Sequence, residues 1–104
     1  IVINRNEITR LPIFLPKSLK YLNINDNNLE KLPDELPPFL YELDCGYNNL
    51  SRLPDKLPET LKYFYYYDNP FIFKDKSGNT IELSNKLNLN KYLVDKYGEY
   101  IKFI

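Results

Sequence analysis

No histidine occurs among the 104 residues, cysteine occurs once and glycine three times. The missing histidine removes the commonest general base and the commonest metal ligand. The few glycines form no Gly-rich phosphate loop. With Cys45 as the single cysteine, no disulfide forms within the chain, which suits a reducing compartment. No apolar run approaches the roughly 18 residues of a membrane span. Neither sign of charge is in excess: Lys plus Arg and Asp plus Glu each number 14, so no general attraction to nucleic acid or to an anionic membrane follows. Nothing in this composition calls for a cofactor or a metal. The chain begins at Ile1 with no signal-peptide pattern, so the natural protein is expected to extend further towards its N-terminus. The expected location is the cytoplasm, that of a host cell included.

What the chain does contain is a repeat of constant period. Leu19, Leu22, Ile24, Asn27, Leu29, Leu32, Pro33, Leu36 and Pro37 recur 21 residues later as Leu40, Leu43, Cys45, Asn48, Leu50, Leu53, Pro54, Leu57 and Pro58. A further step of 21 gives Leu61, Phe64, Tyr66, Asn69 and Phe71, and the pattern fails at Lys74. One step back gives Ile1, Ile3, Asn6, Ile8, Leu11, Pro12, Leu15 and Pro16. A repeat of this length is one structural unit that buries its apolar side only by stacking on its neighbours.

Each unit divides in two. In Tyr21-Leu22-Asn23-Ile24-Asn25 apolar and polar residues alternate, the pattern of a short strand with one buried face. Three residues on, an asparagine stands where the chain must turn away from the sheet. Its side chain both donates and accepts, so it can serve backbone groups that a buried turn leaves unpaired. Asn6, Asn27, Asn48 and Asn69 are therefore expected to form a structural ladder. The second half, as in Leu32-Pro33-Asp34-Glu35-Leu36-Pro37, carries two prolines, each lacking an N–H and pushing its predecessor towards extended geometry. An outer helix is thereby disfavoured, and extended, polyproline-like segments with tight turns are expected.

The spacing Leu19-x-x-Leu22-x-Ile24-x-x-Asn27-x-Leu29 resembles the leucine-rich-repeat consensus. The accompanying Leu-Pro-x-x-Leu-Pro is similar to the short, Pro-rich class of the IpaH and YopM bacterial effector families, and to repeats of giant-virus proteins. That resemblance implies an α/β repeat fold: a solenoid with short parallel strands on its concave face, an extended convex side and a C-terminal helical cap. Residues 1–73 are assigned to the repeats, the first of them partial, and 74–104 to the cap. In the cap, Lys74 to Thr80 reads as a polar loop with a turn at Ser77-Gly78-Asn79, and Ile81-Glu82-Leu83 as a short edge strand. Leu89, Leu93, Tyr97 and Ile101 lie four apart and predict a helix at about 89–103, with Asn88 or Asn90 as its N-cap. Gly98 is its weak point, at about 1 kcal/mol against alanine. Lys86, Lys91, Lys96 and Lys102 read as its solvated face.

The outward strand positions are the candidate binding surface. They comprise Tyr21, Asn23, Glu42, Asp44, Tyr63, Tyr65 and Tyr67, with Tyr47 and Asp68 just past their strands. Phe64, Tyr66 and Cys45 fall at core positions. Tyrosine offers large contact area at little entropic cost, and the flanking carboxylates suit a partner bearing Lys or Arg. The competing reading is that these tyrosines are only good strand formers that pack across strands. The functional expectation is a non-catalytic module that binds another protein on its concave face. The alternative, which the effector resemblance implies, is the substrate-recognition part of a larger enzyme, such as a ubiquitin ligase whose catalytic domain lies outside this chain.

Overall fold

The computed structural model describes residues 1–2, 9–11, 15–82, 84 and 86–104. Three three-residue strands recur one repeat apart: β1 (Tyr21–Asn23), β2 (Glu42–Asp44) and β3 (Tyr63–Tyr65). They pair in parallel so that Tyr21, Glu42 and Tyr63 align, as do Leu22, Leu43 and Phe64, and Asn23, Asp44 and Tyr65. Every aligned residue is 21 positions from its neighbour, so the period of the sequence is the register of the sheet. Val2 bridges Asn23 by the same step. A slip of one residue would turn the leucines outward, which is why the apolar alternation holds this register.

The inward residues make one continuous core. Leu22, Ile24, Leu29, Leu40, Leu43, Cys45, Leu50, Leu61 and Phe64 are almost completely buried. The second halves of the repeats contain no helix among the described residues. Each ends in a tight turn in which a leucine N–H donates to the carbonyl of the second proline: Leu19 to Pro16 (3.1 Å), Leu40 to Pro37 (3.2 Å) and Leu61 to Pro58 (3.0 Å). Proline serves there as an acceptor, so its missing N–H costs nothing.

The C-terminal segment differs from the expectation in three ways. First, its helix, α1, spans Lys86–Tyr97 rather than 89–103, and Asn88 and Asn90 lie inside it. It ends where the Gly98 N–H donates to the Val94 carbonyl at 2.8 Å with φ at 92°, a left-handed terminus that glycine adopts without steric cost. Second, Lys102–Phe103 is a strand, here β4, that adds in parallel beside β3, aligning Lys102 with Tyr63 and Phe103 with Phe64. Lys102 is therefore not part of the helix face, and Ile101 leaves the helical row. The exposed ladder of β3 is what draws the chain back: Lys102 and Ile104 N–H groups donate to Lys62 (2.7 Å) and Phe64 (2.9 Å), and Ile104 accepts from Tyr66 (2.9 Å). Third, Thr80–Ile81 pairs antiparallel with Phe73–Lys74 in a separate two-stranded hairpin, not at the edge of the main sheet. Leu83 lies outside the described residues. Asp75 closes the hairpin turn, accepting from the Ser77 and Asn79 N–H groups at 2.9 Å.

Leu89 and Leu93 bury the inner side of α1. Tyr92 packs on Phe73, and the Tyr97 hydroxyl donates to the Pro54 carbonyl at 2.6 Å. No helix of the described residues is long and apolar enough to cross a membrane.

Candidate functional site

Side chains alternate along a strand, so with Leu22, Leu43 and Phe64 inward their neighbours point away from the core. Tyr21 is exposed and Asn23, Glu42, Asp44, Tyr63 and Tyr65 are partly exposed on that outward face. Tyr47 and Asp68 are exposed just beyond the strands, and Tyr67 is partly covered.

The candidate tyrosines Tyr21, Tyr63, Tyr47 and Tyr67 divide into two groups. At the start of the strands, Tyr21, Tyr41 and Tyr63 form a column of edge-to-face contacts, with centroids 5.9 and 5.7 Å apart. At the other end Tyr47 and Tyr67 make one edge-to-face pair at 5.3 Å. Such pairs are worth about 0.5–1.5 kcal/mol beyond their burial. Tyr41 was not among the sequence candidates, because it precedes its strand and its repeat equivalents are Lys20 and Lys62. Its place became visible only once two neighbouring strands brought Tyr21 and Tyr63 to either side of it.

Asp44 organises the second group. Its Oδ1 accepts the Gly46 N–H at 3.0 Å, while Oδ2 accepts from Asn25 Nδ2 and from the Tyr67 hydroxyl, both at 3.3 Å. Asn23 serves the Asn25 N–H in the same way one repeat earlier, at 3.1 Å. Burial pushes the Tyr67 hydroxyl above its ordinary pKa, and the negative charge of Asp44 adds to this. The Tyr67 ring lies against Gly46, where any β-carbon would overlap it. Gly46→Ala is accordingly expected to drive the ring off Asp44 and Tyr47, at a cost of about 1 kcal/mol. Proton NMR shifts of the Tyr67 ring check this, and an unmoved ring would contradict the packing described.

Asp26, Tyr47 and Asp68 occupy one position of successive repeats, and all three adopt left-handed backbone, with φ of 56°, 51° and 52°. Aspartate tolerates that region; for a bulky tyrosine it is uncommon. Immediately after each stands an asparagine. Asn27 Nδ2 donates to the carbonyls of Ile24 (2.9 Å) and Asn25 (3.1 Å). Asn48 Nδ2 reaches Cys45 and Gly46 in its own repeat and Ile24 in the one before, while its oxygen accepts the Leu29 N–H at 3.0 Å. Asn69 repeats that set on Tyr66, Tyr67, Cys45 and the Leu50 N–H. Asn6 lies outside the described residues.

Cys45 is fully buried, and its thiol contacts the Tyr65 carbonyl at 3.3 Å. Burial pushes its pKa far up, and Asp44 pushes in the same direction, the opposite of what a reactive thiolate needs. Among the described residues, no three His, Cys, Asp or Glu side chains assemble as a metal-ligand group. A shallow cleft between the hairpin and α1 carries Lys74, Lys76, Lys91 and Lys96 beside Asp75 and Asp95. Its charges are mixed, and Lys96 also pairs with Asp55 at 3.9 Å.

Residues 18–39 match the family model described as Leucine Rich Repeat. Neither the curated proteins nor the solved structures include a significant match to the chain. The matched segment carries β1, and its pattern recurs through the sheet in a register equal to its own period, which supports a leucine-rich-repeat protein.

Proposed function

We propose that the chain is a non-catalytic protein-binding module that recognises another protein on the outward face of its parallel sheet. In this reading that face is the concave side of a short solenoid, the Pro-rich second halves run extended along its convex side, and residues 74–104 cap one end. Leucine-rich-repeat modules generally mediate contacts between proteins, which supports the reading. The observation that carries it is the state of two large rings on rigid strand ends: Tyr21 is 56% exposed and Tyr47 55% exposed. Rigid, half-exposed tyrosines beside Asn23, Glu42, Asp44, Tyr63, Tyr65 and Asp68 provide contact area with polar tips, the composition favoured at protein interfaces. The cytoplasm is the proposed location, and no cofactor is required.

The reading is tested by photo-crosslinking from a benzoylphenylalanine placed at position 65 or, as control, at position 39. Phe39 is more exposed than Tyr65 but lies outside the sheet, so exposure alone would favour capture from the control. A partner should be captured from position 65 and not from 39. Its capture from a second outward position, 21, should fall when Tyr63→Ser and Tyr65→Ser are combined. Equal capture from 65 and 39, or undiminished capture in the double variant, would move the binding surface elsewhere.

A further inference from the structure

Because the strands are parallel, residues that precede them gather at one edge of the outward face and residues that follow them gather at the other. Lys20 and Lys62 immediately precede β1 and β3, and Lys102 opens the last strand. Asp44 closes β2, and Asp26 and Asp68 follow β1 and β3. A chain of zero formal net charge thus carries a face that is negative along one edge, while the other mixes these lysines with Glu42, which opens β2 in the register of Lys102. The exposed Tyr47 ring stands within the negative row, between Asp26 and Asp68 in the order of the repeats and edge-on to Tyr67.

The size of the face limits its occupant. Four strands about 4.8 Å apart, each with flanks about six residues long, offer roughly 15 by 18 Å, on the order of 300 Å². A stable dimer buries about 800 Å² on each side, so this face alone does not hold a second copy of the chain. An extended segment of about five residues crosses it completely.

Resting on the protein-binding reading above, we propose that the face receives an extended, arginine-bearing segment of a partner protein, laid across the strands along the negative edge. A guanidinium stacks on aromatic faces and pairs with carboxylates at once, which the Tyr47–Tyr67 pair and the Asp26, Asp44 and Asp68 row offer together. An ammonium has no plane to stack, and an acidic segment meets repulsion. The lysines lie about 18 Å away along the strands, beyond the ~8 Å screening length of physiological salt, so they do not oppose the cation.

The three variable positions of this edge permit a clean test. Asparagine is at home in left-handed backbone, so Asp26→Asn with Asp68→Asn, and separately Tyr47→Asn, remove charge or ring without adding strain. The probe is a fluorescein-labelled peptide of alternating arginine and glycine, about nine residues long so that it overhangs the face at both ends, with a glutamate-glycine peptide as control. Fluorescence polarisation should show binding of the first and none of the second. Raising salt from about 0.05 to about 0.5 M should weaken it at least about tenfold. Each variant should lose about fivefold or more in affinity while keeping a cooperative unfolding transition, whereas Lys20→Gln with Lys62→Gln should lose nothing. Equal binding of the two peptides, undiminished binding by the aspartate double variant, or loss on neutralising the lysines would overturn the proposal. The protein-binding reading would survive those results, since it falls on equal capture from positions 65 and 39 or on undiminished capture in the Tyr63 and Tyr65 double variant.

Discussion

Asn48→Ala is expected to lower the stability of the fold by about 2–3 kcal/mol, because a single deletion strands several buried backbone groups. The Asn48 amide reaches three carbonyls, those of Ile24, Cys45 and Gly46, at 3.0–3.1 Å, and its oxygen holds the Leu29 N–H. Two of these groups belong to the preceding repeat, so alanine would uncouple neighbouring units as well as loosen one turn. Water cannot easily replace the side chain there, since Ile24, Leu29 and Cys45 around it are fully buried. For a domain of this size the loss corresponds to a fall in Tm of about 10 °C or more. Urea and thermal unfolding measure it directly. An unchanged midpoint would remove the asparagines from the account of what joins the repeats.

Phe103→Ala is expected to cost about 2–3 kcal/mol, less than the 3–5 typical of a fully buried phenylalanine because this ring keeps some exposure. Phe103 stacks on Phe64 at 5.7 Å and also touches Tyr66 and Tyr97. Phe64 is the largest completely buried side chain among the described residues, and Phe103 stacks on it. The loss should therefore open the last strand and loosen α1, which is anchored near it through Tyr97. Amide exchange should quicken first at Lys102, Ile104 and Tyr66, whose N–H groups tie the last strand to β3. Stability and exchange both unchanged would mean that the last strand is ornamental to the sheet.

These two residues also mark where local pattern stops being informative. Asn48 is legible in the sequence: it recurs every 21 residues, and the chemistry of an amide at a turn follows from its type. The same period predicts the parallel sheet and its register, because identical units stack with identical residues aligned. Burial of Cys45 follows from its alignment with Ile24. Phe103 is not legible in this way. Its partner Phe64 lies 39 positions earlier, off the repeat period, and Ile101 continues a four-residue spacing that imitates a helix. The left-handed Gly98 and the unpaired ladder of β3 override that spacing, since backbone groups at a sheet edge gain more from a strand than from two further helical turns.

The outward face divides along the same line. Which residues point outward is a matter of alternation and can be read from the chain. Which of them meet is decided across strands. Tyr41 enters a column between Tyr21 and Tyr63, while Tyr67 is drawn away from Tyr63 to cover Gly46 and reach Asp44. The gathering of Asp26, Asp44 and Asp68 along one edge likewise exists only once the strands lie parallel, because a neutral composition says nothing about which ends are brought side by side. Period and residue type set the repeat, its register and its core; contacts between residues 20 to 40 apart, made only by stacking, set the surface.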